Sequence, residues 1–313
     1  MRLMNTKPIL DKIYIERNNV RSTRGNQMKT MFVGLILCLF LLTSGLSIAM
    51  TTDTSHNTLM SLDDDVPVWQ VGNSWTYTMN NFTVNYENDQ QRMFLNGRID
   101  DFIWTVTDTS SSSYYTVNFT GKLTATYVIG FSDVGVSKEI SGTLKPRLTR
   151  LKGSLLFTKS DLQIHSATME IKSLSKAIIA PLNFSLPFLL TITTTGELSK
   201  DFPLFDFPLS TTKYWTLSNF QATIQTTAQG IFKLFQIPVT INIHNSWIPW
   251  VFSCEQKQDV TVPAGTFTAY KLTSTIGDFF DYYYAPSVGN LIKLDANLQN
   301  GEYHAELVSM NYP

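Results

Sequence analysis

Turn chemistry constrains this chain more than any other feature, and it is densest between Val251 and Met310. Val260-Thr-Val-Pro-Ala-Gly-Thr-Phe267 reads as strand, turn, strand. Pro263 presets φ at the first corner, and Gly265 supplies a positive φ at the end of the turn. Tyr282-Tyr-Tyr-Ala-Pro-Ser-Val-Gly-Asn-Leu-Ile-Lys-Leu294 repeats the device with Pro286 and Gly289. Asn300-Gly301 adds the dipeptide most strongly tied to a tight hairpin. Hairpins are therefore predicted at Pro263–Gly265, Pro286–Gly289 and Asn300–Gly301, with antiparallel strands between them.

Upstream the same language continues. Ile103–Val106, Tyr115–Phe119 and Leu123–Ile129 are rich in β-branched and aromatic residues. Gly121, Gly130, Gly135, Gly142 and Gly153 recur about every ten residues, which reads as the turns of a meander. Another strand is read from Leu162 to Ile171, and no helical period is sustained after residue 50. The expected fold is all-β, built of large curved antiparallel sheets in a half-barrel or sandwich-like arrangement. Two halves, 66–200 and 201–313, are suggested by an echo: Val66-Pro-Val68 leads to Trp75-Thr-Tyr77, and Phe207-Pro-Leu209 leads to Trp215-Thr-Leu217. Between them Ala177–Leu209 is strongly apolar and broken by prolines. It reads either as a lip over a ligand cavity or as a crossover that plugs the core.

The first 49 residues read as an address. Met31–Leu42 is an unbroken apolar run with Lys29 before it and Ser47-Ile-Ala49 after it, the layout of a secretory signal peptide. An uncleaved membrane anchor is the competing reading, because the run extended to Met50 nears bilayer-spanning length. Met1 and Met28 are both candidate starts. Residues 50–65 are polar, end in Asp63-Asp-Asp65, and read as a linker rather than a metal loop, which needs more oxygen ligands in fixed order. The chain is thus expected to be exported, either extracellular or anchored at the outer face of the cytoplasmic membrane. Asn81-Phe-Thr, Asn118-Phe-Thr and Asn183-Phe-Ser fit the glycan acceptor pattern, so glycan is expected on at least one of Asn81, Asn118 and Asn183 in a glycosylating host.

Charge excludes one class of partner. Residues 1–49 hold seven Lys/Arg against two Asp/Glu, which leaves 17 basic and 23 acidic residues in the remainder. A mildly acidic body does not suit a phosphate backbone, so no nucleic acid is expected. After Cys38 in the apolar run, Cys254 is the only cysteine, so the exported part has neither an internal disulfide nor a zinc site and must be held by its core. Cys254 itself reads as a small buried hydrophobe on a strand.

The motifs of nucleophilic, metal and nucleotide chemistry are absent, and the four histidines are scattered. His304 with Glu306, and Asp161 with His165, have the spacing of neighbours on one strand face. Both pairs read first as solvent-face residues. No catalytic residue, cofactor or metal is expected.

Val260–Leu272, Tyr283–Lys293 and Glu306-Leu-Val-Ser309 together resemble the C-terminal signature of exported prokaryotic, archaeal-type proteins of uncharacterised function. The same order of a P-A-G-x-F hairpin, an aromatic strand ending in a P-x-V/L-G turn and a final E-L-V-S strand occurs in a bacterial periplasmic family. That family is distantly similar to the Lol-type lipoprotein carriers, which are curved antiparallel half-barrels. The match covers about a fifth of the chain. It implies a half-barrel fold and an exported location, and brings no catalytic residues.

These readings lead to one functional expectation. A curved sheet makes a cleft, and the C-terminal strands carry more aromatics than one face of a flat meander buries. A non-enzymatic protein holding a lipid or isoprenoid-like ligand in its concave face is expected, with Phe267, Tyr270, Phe280, Tyr282 and Tyr284 lining it. The alternative is a cell-envelope structural or interaction module with no small ligand.

Overall fold

The computed structural model describes residues 66–133, 136–180, 184–230, 236–245, 249–274, 280–298 and 301–313. The N-terminal apolar run, Asn183, Gly135 and Asn300 lie outside the described residues, as do Phe279 and Trp247. The described residues contain no helix and form one open antiparallel sheet of fifteen strands.

The strands are β1 (Ser74–Glu87), β2 (Gln91–Asp108), β3 (Tyr114–Asp133), β4 (Val136–Leu144) and β5 (Thr149–Thr158). They continue with β6 (Ile164–Ala180), β7 (Phe184–Leu198), β8 (Tyr214–Leu217), β9 (Phe220–Gln229) and β10 (Gln236–Asn245). The last are β11 (Trp250–Val262), β12 (Gly265–Ser274), β13 (Phe280–Ala285), β14 (Asn290–Leu298) and β15 (Gly301–Asn311). Their order in the sheet is β10-β9-β7-β6-β4-β3-β2-β1-β15-β14-β13-β12-β11-β8, with β5 lying between β3 and β6 beside β4. The all-β antiparallel expectation therefore holds, as a single sheet. The chain does not divide spatially at residue 200: β9 and β10 pair beyond β7, and β15 closes onto β1. Trp75 and Trp215 both open strands, but β1 is central and β8 is an edge.

The predicted C-terminal turns position this part of the sheet. Val262 faces Gly265 across a turn of two residues, and Gly265 has φ +140°. Ala285 faces Asn290 across Pro286–Gly289, where Gly289 has φ +64° and its N–H returns to the Ala285 carbonyl at 3.0 Å. Leu298 faces Gly301, and residues 299–300 between them lie outside the described residues.

The glycines of the first half do something else. Gly121 and Gly130 lie within β3, Gly142 within β4 and Gly153 within β5, so these four do not mark turns. β3, at 20 residues, is about twice as long as the glycine spacing suggested, whereas β4 and β5, at 9 and 10, match it. Gly153 marks a close backbone approach: a Cβ there would collide with the Phe119 ring and the Thr168 carbonyl. The bends of this long ribbon come from bulges. Asn81 and Asp101 stand at positive φ where the register of β1 and β2 shifts, and the inward alternation of β1 resumes at Phe82 after two exposed residues.

One face of the sheet is buried and the other is wet, as the alternating burial of β9 shows. The buried face is concave and rolls around the segment that follows β7. Phe202 bridges to Ile164 of β6, and its ring meets Phe220 of β9 at 6.0 Å and Phe252 of β11 at 5.7 Å. The Leu204 carbonyl accepts from the Tyr282 hydroxyl of β13 at 2.8 Å, and the Pro203 carbonyl from the Trp215 indole at 2.8 Å. β6 and β13 are far apart in the sheet order, so contact with one short segment requires the sheet to curl around it. Phe202–Phe205 is thus the core plug. The more apolar stretch before it, Ile178–Leu190, is taken into the β6–β7 hairpin instead. A second clasp links the chain ends: the indoles of Trp69 and Trp75 donate to the carbonyls of Gly289 and Val288, each at 2.9 Å.

Candidate functional site

Four of the five residues expected to line a ligand groove belong to the inner face or its rim as packed side chains. Tyr282 is fully buried and hydrogen-bonded to Leu204, and burial pushes its pKa well above the ordinary tyrosine value. Phe280 stacks on it with ring centres 5.4 Å apart. Tyr284 packs edge-on against Phe205 at 5.1 Å and Phe207 at 5.3 Å. Tyr270 is buried beneath the Lys257 ammonium, which stands 4.7 Å from its ring centre. Phe267 is the half-buried one.

Two inner cavities among the described residues are small. One cavity of about 20 Å³ lies among Tyr77, Met79, Phe102, Trp104, Leu291 and Lys293. Another of about 30 Å³ lies among Val84, Met93, Tyr127, Ile171 and Ile192. Each has room for a water, not for an acyl chain. The larger concavities open outward. One of about 580 Å³ lies between the two C-terminal hairpin turns and the ends of the described chain, lined by Val66, Pro67, Lys257, Phe267, Tyr284 and Tyr312 among others. It brings together Phe267 and Tyr284, two of the expected lining residues. Lys257 is its one charged wall residue, and Thr266, Thr268 and Ser287 add hydroxyls. A shallow groove of about 520 Å³ on the outer face is lined by Asn118, Lys152, Glu170 and a run of threonines. Asn81 and Asn118 both stand exposed.

The histidine pairs divide. His304 and Glu306 do meet, with Nε2 and Oε1 3.4 Å apart, and Nδ1 of His304 contacts Asp295 on β14. Lys293 reaches Asp295 at 3.1 Å and Glu306 at 3.7 Å. This is one end of a charged row across the outer face of the last strands. Its other end is Lys271, held by Glu255 at 2.8 Å and Asp281 at 3.1 Å. Among the described residues no group of three or more His, Cys, Asp or Glu is placed to hold a metal. Asp161 and His165 do not pair. The chain turns sharply at Leu162, φ +51°, and β6 begins only at Ile164, so strand alternation does not connect them. Asp161 takes the hydroxyls of Thr158 and Ser160, while His165 lies under the Tyr114 ring and contacts Asp201 at 2.6 Å. Cys254 is a buried thiol on β11.

The charged row has a testable pH signature. Hydrogen bonding to Lys271 lowers the Glu255 pKa below the ordinary glutamate value, and outside the row, on β6, bonding to Lys172 does the same for Glu170. A depressed carboxyl contributes stability that is present above the unfolded pKa and lost as pH falls through the folded one. The urea midpoint is expected to hold above about pH 5 and to fall below about pH 4.5. Lys271→Met is expected to shallow that fall; because the pairs are part-exposed, the difference is under about 1 kcal/mol. Identical acid limbs in both proteins would rule out this origin.

Sequence reasoning found the hairpins and the His304 neighbourhood. It missed the Trp69–Trp75 clasp, whose partners are carbonyls more than 200 residues away. Comparison with protein-family models, with curated proteins and with solved structures found no match.

Proposed function

We propose that this is an exported, non-enzymatic module of the cell envelope that works through its outer surface. The supporting observation is the self-filled concave face: the inner cavities of about 20 and 30 Å³ are an order of magnitude below the roughly 300 Å³ at which small-molecule sites begin. Of the aromatics on the C-terminal strands, Tyr282 and Tyr284 pack on the Phe202–Phe205 plug. The full chain mixed with envelopes from its own host is expected to co-sediment with them, and a fluorescent fatty-acid or isoprenoid probe is expected to show no saturable signal. A protein that stays in the supernatant would defeat this reading.

A second reading, binding of an apolar or amphipathic ligand, is favoured by the concavity of about 580 Å³ that contains Phe267 and Tyr284. The resemblance to curved carriers points the same way. Saturable probe binding that Phe267→Ala removes would make this reading the correct one.

A further inference from the structure

β4 and β5 share one lane of the sheet, end to end between β3 and β6. The turn that joins them, Lys145-Pro-Arg-Leu148, is exposed throughout. Beside it the outer face changes character. Leu148, Leu174, Ile178 and Leu189 are 48, 49, 48 and 38% exposed. Three of them are neighbours: the Leu174 N–H donates to the Leu148 carbonyl at 3.1 Å and Leu174 lies directly opposite Leu189; Ile178 lies further along the same face of β6, past Lys176. Isolated exposed leucines are ordinary, but a contiguous aliphatic group on a wet sheet face is not.

The rim of this group is cationic. Lys145 and Arg147 stand in the turn, and Arg150 lies directly opposite Lys172, where like charges destabilise a sheet. Lys152 and Lys172 share one acid, Glu170, at 3.1 and 2.8 Å. Lys145, Arg147 and Arg150 take no part in the ion pairs formed among the described residues. A body with 23 acidic and 17 basic residues after position 49 thus gathers Lys145, Arg147, Arg150, Lys152 and Lys172 around Leu148, Leu174 and Leu189 with Glu170 as the acid among them, while Glu139, bonded to Arg92, flanks Ile178.

We propose that this patch seats the protein on an anionic lipid surface, a partner that rests on the outer-surface reading above. The aliphatic side chains enter the interface, and Lys145, Arg147, Arg150 and Lys172 meet the headgroup phosphates. Apolar insertion and charge attraction are the two contributions such attachment needs.

The test is sedimentation of the full chain with vesicles of phosphatidylcholine alone and of phosphatidylcholine with phosphatidylglycerol. An apolar run at 31–42 retained on the chain would bind both kinds alike, so the readout is the preference for the anionic vesicle. About 100-fold stronger partition onto it is expected, falling as salt rises. The triple variant R147E/R150E/K172E is expected to lose that preference. Leu148→Ser with Leu174→Ser is expected to weaken attachment while keeping the urea midpoint. Equal partition onto both vesicles, or a preference that survives the triple charge reversal, overturns the proposal. If the preference is absent while host envelopes still bind, the patch faces an acidic protein and only the lipid assignment falls. If neither binds, the outer-surface reading falls with it.

Discussion

Trp75→Ala is expected to cost about 3–5 kcal/mol of folding free energy, the range for truncating a large buried aromatic. The indole is wholly buried at the start of the central strand β1, between Trp104 of β2 and Met310 of β15. Its ring packs on Trp69 at 5.0 Å and Tyr312 at 5.9 Å. Its N–H fixes the β13–β14 turn through the Val288 carbonyl. Alanine therefore removes core volume and also orphans a buried acceptor. Trp75→Phe separates the two effects: most of the ring area survives and the hydrogen bond does not, so about 1–2 kcal/mol is expected. Urea unfolding measures both, with a shifted midpoint and an unchanged slope. For a domain whose total stability falls in the usual range of roughly 5–15 kcal/mol, the alanine variant is near the edge of folding at all. A cost below about 1 kcal/mol for Trp75→Ala would mean that the clasp carries no load.

The readable parts of this fold were those set by local chemistry. Pro263, Gly265, Pro286 and Gly289 impose backbone geometry within four residues, so their hairpins follow from residue type alone. Alternation along β9 or the end of β2 likewise depends only on one face being buried. What was not readable depends on contacts distant in sequence. Nothing in Phe202-Pro-Leu-Phe205 distinguishes a plug from a lip until β6, β9, β11 and β13 are known to converge on it. The same distance hid the fate of Tyr282, which looks like a ligand wall until Leu204 is seen beneath its hydroxyl. His165 shows a third limit. A strand period was extended through Leu162, whose left-handed backbone resets the alternation. The patch at Lys145–Arg150 was invisible for a related reason: its leucines come from a turn and two strands, and only the register brings them together.

Gly153→Ala is expected to be among the most damaging single-methyl changes in the protein, costing about 3 kcal/mol or more, alongside Gly97→Ala, whose Cβ would meet the Thr124 carbonyl. The φ of Gly153 is not what demands glycine. Its inward side is roofed by the Phe119 ring from the facing strand, and its outward neighbour strand β6 brings the Thr168 carbonyl into the volume a Cβ would occupy. Phe119 is almost wholly buried and packs edge-on against Phe102 at 5.5 Å. The carbonyl belongs to a ladder between β5 and β6, so moving it breaks pairing on both sides. Two other glycines calibrate the claim. A Cβ at Gly130 would find its nearest neighbours at 3.5 Å or more, an ordinary contact, so Gly130→Ala is expected to be neutral or slightly stabilising through reduced unfolded-state entropy. Gly72 has φ +96° with nothing within 4 Å, so Gly72→Ala tests backbone strain alone, about 1 kcal/mol. The predicted order of cost is therefore Gly153, then Gly72, then Gly130. Phe119→Leu is expected to relieve part of the Gly153→Ala penalty in a double-mutant cycle, because the smaller side chain vacates the roof while the carbonyl clash remains. If Gly153→Ala proves as mild as Gly130→Ala, β5 does not pack against Phe119 as described.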